Sequence, residues 1–221
     1  MPLFSKNGRK MRLSRYTRLS LVAFMMALFF PFAMRGQGAS SDVLSRVVAK
    51  ASTVKTISAD FVQEKDLSIL NDKMVSKGKM YYDGGMLRWE YLTPYQYLFV
   101  MNGSKVLLQS SNSTVSSSVQ SNEMYREIAK IISETVTGKG LGDAGGNFTV
   151  KMDPSSKGNV AVLTPKKGQM KKFFKEVRLH FGDDDGVKKV ELVEATGDKT
   201  EISLTDIKYN TQIDKALFEI R

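Results

Sequence analysis

One histidine, His180, and no cysteine are all that the 221 residues offer toward nucleophilic or soft-metal chemistry. A zinc cage needs several His or Cys ligands and a Cys-His pair needs both partners, so neither class is open to this chain. A Ser-His-Asp triad would have to use His180, yet no G-x-S-x-G elbow presents a serine. His180 alternates with Leu179 and shares its side with Arg178, the position at which a strand turns polar side chains to solvent. Asp183-Asp184-Asp185-Gly186 supplies carboxylates, but a calcium loop needs oxygen ligands at alternate positions and its glycine at the sixth; Val187 stands at the fifth, and a polar hairpin turn fits better. Asp60 with Glu64, or Glu90, could act as acid and base, and nothing in the sequence brings them together. Gly138, Gly140, Gly142, Gly145 and Gly146 follow a helical pattern and lack the spacing of a phosphate loop. The chain is therefore expected to be no enzyme, and to use no metal and no cofactor.

Binding chemistry is better represented. Lys166, Lys167, Lys171, Lys172 and Lys175 surround Phe173 and Phe174, which makes either a solvated hairpin or a docking surface for an acidic partner or an anionic membrane. The stretch from Lys77 to Ser110 alternates with period two, broken by turn residues at Asp83-Gly84-Gly85, Thr93-Pro94 and Asn102-Gly103. Met80 and Tyr82 fall on one face; past the first turn Leu87, Trp89 and Tyr91 oppose Arg88 and Glu90. This predicts an antiparallel meander with one apolar face, and a two-residue turn at Asn102-Gly103 with positive φ at both positions.

Other elements frame that meander. Asp42 is placed to cap a helix carrying Val43, Leu44, Val47, Val48 and Ala51 along one side. From Thr56 the period becomes two, with Ile57, Ala59 and Phe61 opposing Ser58 and Asp60. Between Ser110 and Ser121 seven of twelve residues are serine, a composition expected not to order strongly. A second amphipathic helix, from about Asn122 to Val136, presents Met124, Ile128, Ile131 and Ile132, and the glycine cluster follows it. An apolar-faced helix between two flexible tethers suits either a core helix or a movable lid. The last third reads as strands near Phe148–Met152, Asn159–Leu163, Phe173–Phe181, Val187–Ala195 and Thr200–Tyr209. About ten short antiparallel strands with two or three helices predict a mostly β, α+β fold built on a large curved sheet or open barrel.

Export is the remaining theme. Residues 1–38 open with Lys6, Arg9, Lys10, Arg12, Arg15 and Arg18, continue as an apolar run from Leu19 to Met34, and end in Gly36-Gln37-Gly38. This pattern predicts a secretory signal cut near Gly38, ahead of a single domain over 39–221, with an uncleaved anchor as the alternative. Of the chain's 33 basic residues seven lie in residues 1–38, which hold no acid; 26 remain against 23 acidic residues, a net of +3 in place of +10. So modest an excess does not point to nucleic acid. Export without disulfide or lipid-bearing cysteine suits a periplasm.

The segments "ISADFVQEK", "GKMYYDGGMLRWEYLTP" and "VMNGSKVLL" resemble the outer-membrane lipoprotein carrier family, LolA. The matching features are Phe61 with Gln63, Gly78, the Arg88-Trp89-Glu90-Tyr91 run closing at Pro94, the Asn102-Gly103 turn, and Phe218 as a terminal aromatic. The resemblance spans about Asp42 to Arg221. It implies an incomplete, strongly curved antiparallel β-barrel with a helical lid over a concave apolar face that takes up the acyl chains of lipoproteins. It further implies cargo received from an inner-membrane ABC-type lipoprotein release complex and passed to an outer-membrane acceptor. Family members commonly carry Arg-Pro where this chain has Gly84-Gly85, so no latch residue is assigned. Alternation nominates Met80, Tyr82, Leu87, Trp89, Tyr91, Leu98, Val100, Val106 and Leu108, with Val177 and Leu179, as the cavity lining. The same residues would serve a packed core. The carrier is expected to be a monomer; a carrier of another lipid or glycolipid, or a non-carrying adaptor or sensor docking through the lysine loop, stays open beside the lipoprotein carrier.

Overall fold

The computed structural model describes residues 39–67, 72–103, 105–118, 148–156, 159–166 and 170–220. The chain enters through helix α1 (Ala39–Thr53) and then forms β1 (Thr56–Leu67), β2 (Asp72–Asp83), β3 (Met86–Thr93), β4 (Tyr97–Asn102), β5 (Lys105–Ser110) and β6 (Ser113–Ser118). After β7 (Phe148–Met152) and β8 (Val160–Pro165) comes the one-turn helix α2 (Met170–Phe173), followed by β9 (Phe174–Phe181), β10 (Val187–Glu194) and β11 (Lys199–Tyr209). These eleven strands make one curved, open, antiparallel sheet in the order β6-β5-β4-β3-β2-β1-β11-β10-β9-β8-β7. Two meanders, each held by local hairpins, are joined where β1 pairs with β11, with Phe61 opposite Leu204 and Ile57 opposite Tyr209. The mostly β, curved-sheet expectation holds; the helix expected at 122–136 lies outside the described residues.

Local chemistry accounts for three departures from the sequence reading. Helix α1 begins at Ala39, so Asp42 is not its cap; it sits in the first turn, where a carboxylate complements the helix dipole, and pairs with Arg46 one turn on. The serine-rich stretch forms β6 as far as Ser118, because ladder hydrogen bonds to β5 need no particular side chain, and a polar strand is well suited to a sheet edge. The hairpin after β4 turns one residue later than expected: Asn102 pairs with Lys105, and Gly103, at φ +56°, takes the left-handed position. Asn102 is thereby freed to donate its side-chain amide to the Phe218 carbonyl at 3.0 Å.

That contact belongs to the outer face of the sheet. A 3-10 helix at Lys215–Phe218 lays Phe218, fully buried, with Ile213 against Val100 and Leu107. Arg88 reaches across to donate to the Leu217 carbonyl at 3.2 Å while pairing with Glu90 at 2.9 Å. The inner face carries the main core, which runs unbroken from Val106 on β5 to Phe148 on β7.

Candidate functional site

The inner face is organised by a glycine. On β1 the period of two turns Ala59 and Phe61 inward, and the Phe61 ring lies across β2 at Gly78. A Cβ at position 78 would come within 1.9 Å of the Glu90 carbonyl oxygen and 2.5 Å of that ring, so only glycine fits. Phe61 can then stack on Trp89 of β3, centroids 4.3 Å apart, and meet Tyr91 edge-on at 5.1 Å. Two residues after Phe61, Gln63 accepts the Tyr91 hydroxyl proton at 2.7 Å. Burial holds the Tyr91 phenol well above its usual pKa and pushes Tyr82 up to about 12, so both stay neutral, as an apolar lining requires. The sequence pairing of Phe61-Val62-Gln63 with Arg88-Trp89-Glu90-Tyr91 is thus one device: odd residues build the inner aromatic cluster, while Arg88 and Glu90 hold the C-terminal segment outside.

Most of the nominated lining gathers on this face. Met80, Tyr82, Leu87, Trp89, Tyr91, Val106, Val177 and Leu179 share the main buried cluster, and Leu108 packs against it. Leu98 and Val100 do not belong there. The pairing of Tyr91 with Tyr97 and of Trp89 with Phe99 turns Tyr97, Phe99 and Met101 inward, which leaves Leu98 and Val100 on the outer face with Phe218. Nominating Leu98 and Val100 reversed the parity across the turn after Thr93 and so missed Phe99 and Met101; the register with β3, which keeps the odd residues inward, is the signal that identifies them.

The two ends of the face differ. Near the turns at Gly84-Gly85 and at Asp183–Gly186, α1 packs Leu44 and Val47 into the cluster, while its Arg46 donates to Asp185 at 3.1 Å and its Lys50 lies over the Tyr209 ring at 4.7 Å. Toward the other end the lining becomes polar: Lys65 pairs with Glu194 at 2.7 Å, and the buried Thr200 hydroxyl donates to the same carboxylate at 3.3 Å. Lys166, Lys171 and Lys172 are exposed in the connection between β8 and β9 at that end. Lys167 and the lid candidates Met124, Ile128, Ile131 and Ile132 lie outside the described residues.

The remaining chemical candidates are separated from one another. Asp60 pairs with Lys79 at 3.1 Å, Glu64 with Lys73 at 3.7 Å and Glu90 with Arg88, so each carboxylate faces its own cation and no acid-base pair forms from them. Asp183–Asp185 makes the β9–β10 turn, with Asp185 at φ +58°. His180 turns outward, its Nε2 2.9 Å from Glu191 Oε1, in a charged row that continues through Lys189 to Glu201. Burial lowers the His180 pKa, against the opposing pull of Glu191. What the described residues offer is a buried apolar, aromatic face, backed on the outside by the C-terminal segment.

No curated protein matches the chain. Among solved structures it is similar to a DUF1329 family protein from Desulfovibrio piger, at 12% identity and a TM-score of 0.42 over 82% of this chain and 96% of that one. It is also similar to a LolA superfamily protein from Nitrosomonas europaea, at 9% identity and 0.42 over 83% and 99%. A third likeness is to the lipoprotein LppX of Mycobacterium tuberculosis, at 8% and 0.40 over 81% and 99%. The model of the family described as outer membrane lipoprotein carrier protein LolA matches residues 52–221, the span that holds the aromatic cluster, the glycine beneath it and the C-terminal clamp, and the chain belongs to that family.

Proposed function

We propose that this protein is a periplasmic carrier that shelters the acyl chains of lipoproteins on the inner face of its sheet and ferries them from the inner membrane toward the outer membrane. The observation that carries this reading is the unbroken apolar lining from β5 to β7, for which the described elements supply one long helix, α1, reaching it only near one end. An eleven-strand sheet needs a second layer over its apolar face. In this reading the layer is exchangeable: acyl chains when cargo is present, and Met124, Ile128, Ile131 and Ile132 when it is absent.

The energetics favour such an exchange. At about 0.8 kcal/mol per CH₂, an acyl chain of roughly fifteen methylenes costs on the order of 12 kcal/mol to expose to water, so it cannot cross an aqueous space alone. A carrier that bound it as tightly as a membrane does would never release it. Competition between an apolar helix and the acyl chain for one surface lowers the net affinity, because each displaces the other. Met80, Met101 and the aromatic residues suit a variable occupant, since thioether and ring surfaces repack around different shapes. In this account residues 1–38 direct export and are removed near Gly38, an ABC-type complex loads the cargo, and an outer-membrane acceptor receives it.

Extraction of the protein recovered from cells, followed by mass spectrometry, tests the reading. Co-purifying acylated polypeptide supports it; a different lipid or glycolipid replaces the cargo, and a protein free of acyl species with a bound partner favours an adaptor. A fluorescent label at Ile131→Cys should shift as acylated peptide is added, and a label that stays fixed at saturating peptide defeats the exchange.

A further inference from the structure

The four large apolar side chains that stand out into solvent among the described residues collect at one end of the sheet. Met74 is 45% exposed, Val75 46%, Leu92 42% and Tyr95 74%. Met74 and Val75 open β2, Leu92 closes β3, and Tyr95 forms the turn after it; the pairing of Lys77 with Thr93 brings these strand ends side by side. Scattered exposed apolar residues need no explanation, but a group confined to one rim does.

The sheet topology places cations at the same end. In an antiparallel meander successive turns alternate between the two ends, so the β1–β2 connection, the β3–β4 turn, the β8–β9 connection and the β10–β11 turn share this rim. The β8–β9 connection carries the exposed Lys166, Lys171 and Lys172. The Asp183–Asp185 turn, which an anionic surface would repel, is at the far end beside helix α1, while the rim's own carboxylates, Asp66 at the end of β1 and Asp198 in the β10–β11 turn, lie on other connections than these lysines.

We propose that this rim docks on an anionic phospholipid bilayer, with Tyr95, Leu92, Met74 and Val75 entering the boundary between headgroups and acyl chains while Lys166, Lys171 and Lys172 lie over lipid phosphates. Apolar side chains and lysines presented on one rim, here with β1, β11 and β10 between them, bind membranes through these two contributions together, neither of which anchors a protein firmly by itself. A folded protein partner would match the apolar residues but gives no reason for three exposed lysines on the β8–β9 connection, whose sequence from Pro165 to Phe174 holds no carboxylate. The proposal stands on this surface alone and does not require lipoprotein as cargo.

Because the chain has no cysteine, single labels report it directly. An environment-sensitive fluorophore at Tyr95→Cys should shift to the blue with vesicles of phosphatidylcholine and phosphatidylglycerol, and little with phosphatidylcholine alone. The same fluorophore at Lys105→Cys, exposed at the α1 end, should not respond. Comparing the two positions separates this rim from any binding by the basic, apolar residues 1–38. Changing Lys166, Lys171 and Lys172 together to Glu should weaken the response by at least on the order of a hundredfold, at about fivefold per lysine. A position-95 label that ignores vesicles, labels that shift together, or binding indifferent to lysine reversal would overturn the proposal. So would a blue shift that needs no vesicles and grows with protein concentration, the signature of a second copy of the chain.

Discussion

At the scale of single residues the inner face turns on what Gly78 leaves out. Its missing side chain makes room for the Phe61 ring, and through that ring for the stack on Trp89. Gly78→Ala should destabilise the fold by about 1–3 kcal/mol, since either the Phe61 ring or the β3 backbone must move. The check is a lower urea midpoint with an unchanged slope. On the outer face His180 gives a pH test whose sign follows from its surroundings. Burial holds its folded pKa below the usual value near 6.5, so in the window below about 6.5 the unfolded chain binds the proton more readily. The stability that neutral His180 confers is therefore complete above about pH 6.5 and is lost as pH falls toward the folded pKa. Neighbouring Glu191 is raised by burial but lowered overall by Lys189 and His180, so its own loss of stability comes in more acidic solution. His180→Gln should flatten the first decline and shrink the second without abolishing it, since Lys189 still faces Glu191, read by thermal melts across the pH range.

At the scale of elements, the C-terminal 3-10 helix is a clamp on the outer face of the sheet, behind the aromatic cluster. Phe218 is fully buried against Val100 of β4 and Leu107 of β5, and Arg88 and Asn102 both donate to carbonyls of this segment. Phe218→Ala should cost about 3–5 kcal/mol, measured by equilibrium denaturation. The elements also mark what the sequence could and could not reveal. Trp89 and Tyr91 were legible because apolar and charged residues alternate cleanly along β3. Leu98 and Val100 were not, because Tyr97 to Met101 is apolar at every position and has no parity of its own; pairing with β3 supplies it. Strand β6 was hidden by its composition, since backbone hydrogen bonding to a neighbour can order a polar segment that has no apolar face to announce it.

At the scale of the whole molecule, curvature joins two local meanders into one lining. The meanders were visible as period-two runs divided by turn residues. Their union through β1 and β11 was not, because that pairing spans most of the chain and is fixed by which edges meet, not by any local pattern. Family membership supplies a reason for the lining to be a binding surface, and Trp89, fully buried within it and the chain's one tryptophan, is a reporter already in place. The most direct test is a titration of the protein with an acylated peptide whose acyl chain carries bromine, following Trp89 fluorescence. Saturable quenching, reversed by the same peptide with an unbrominated chain, is the result expected if acyl chains lie on the inner face; a peptide that binds and leaves Trp89 unquenched, or that does not bind, would contradict the account.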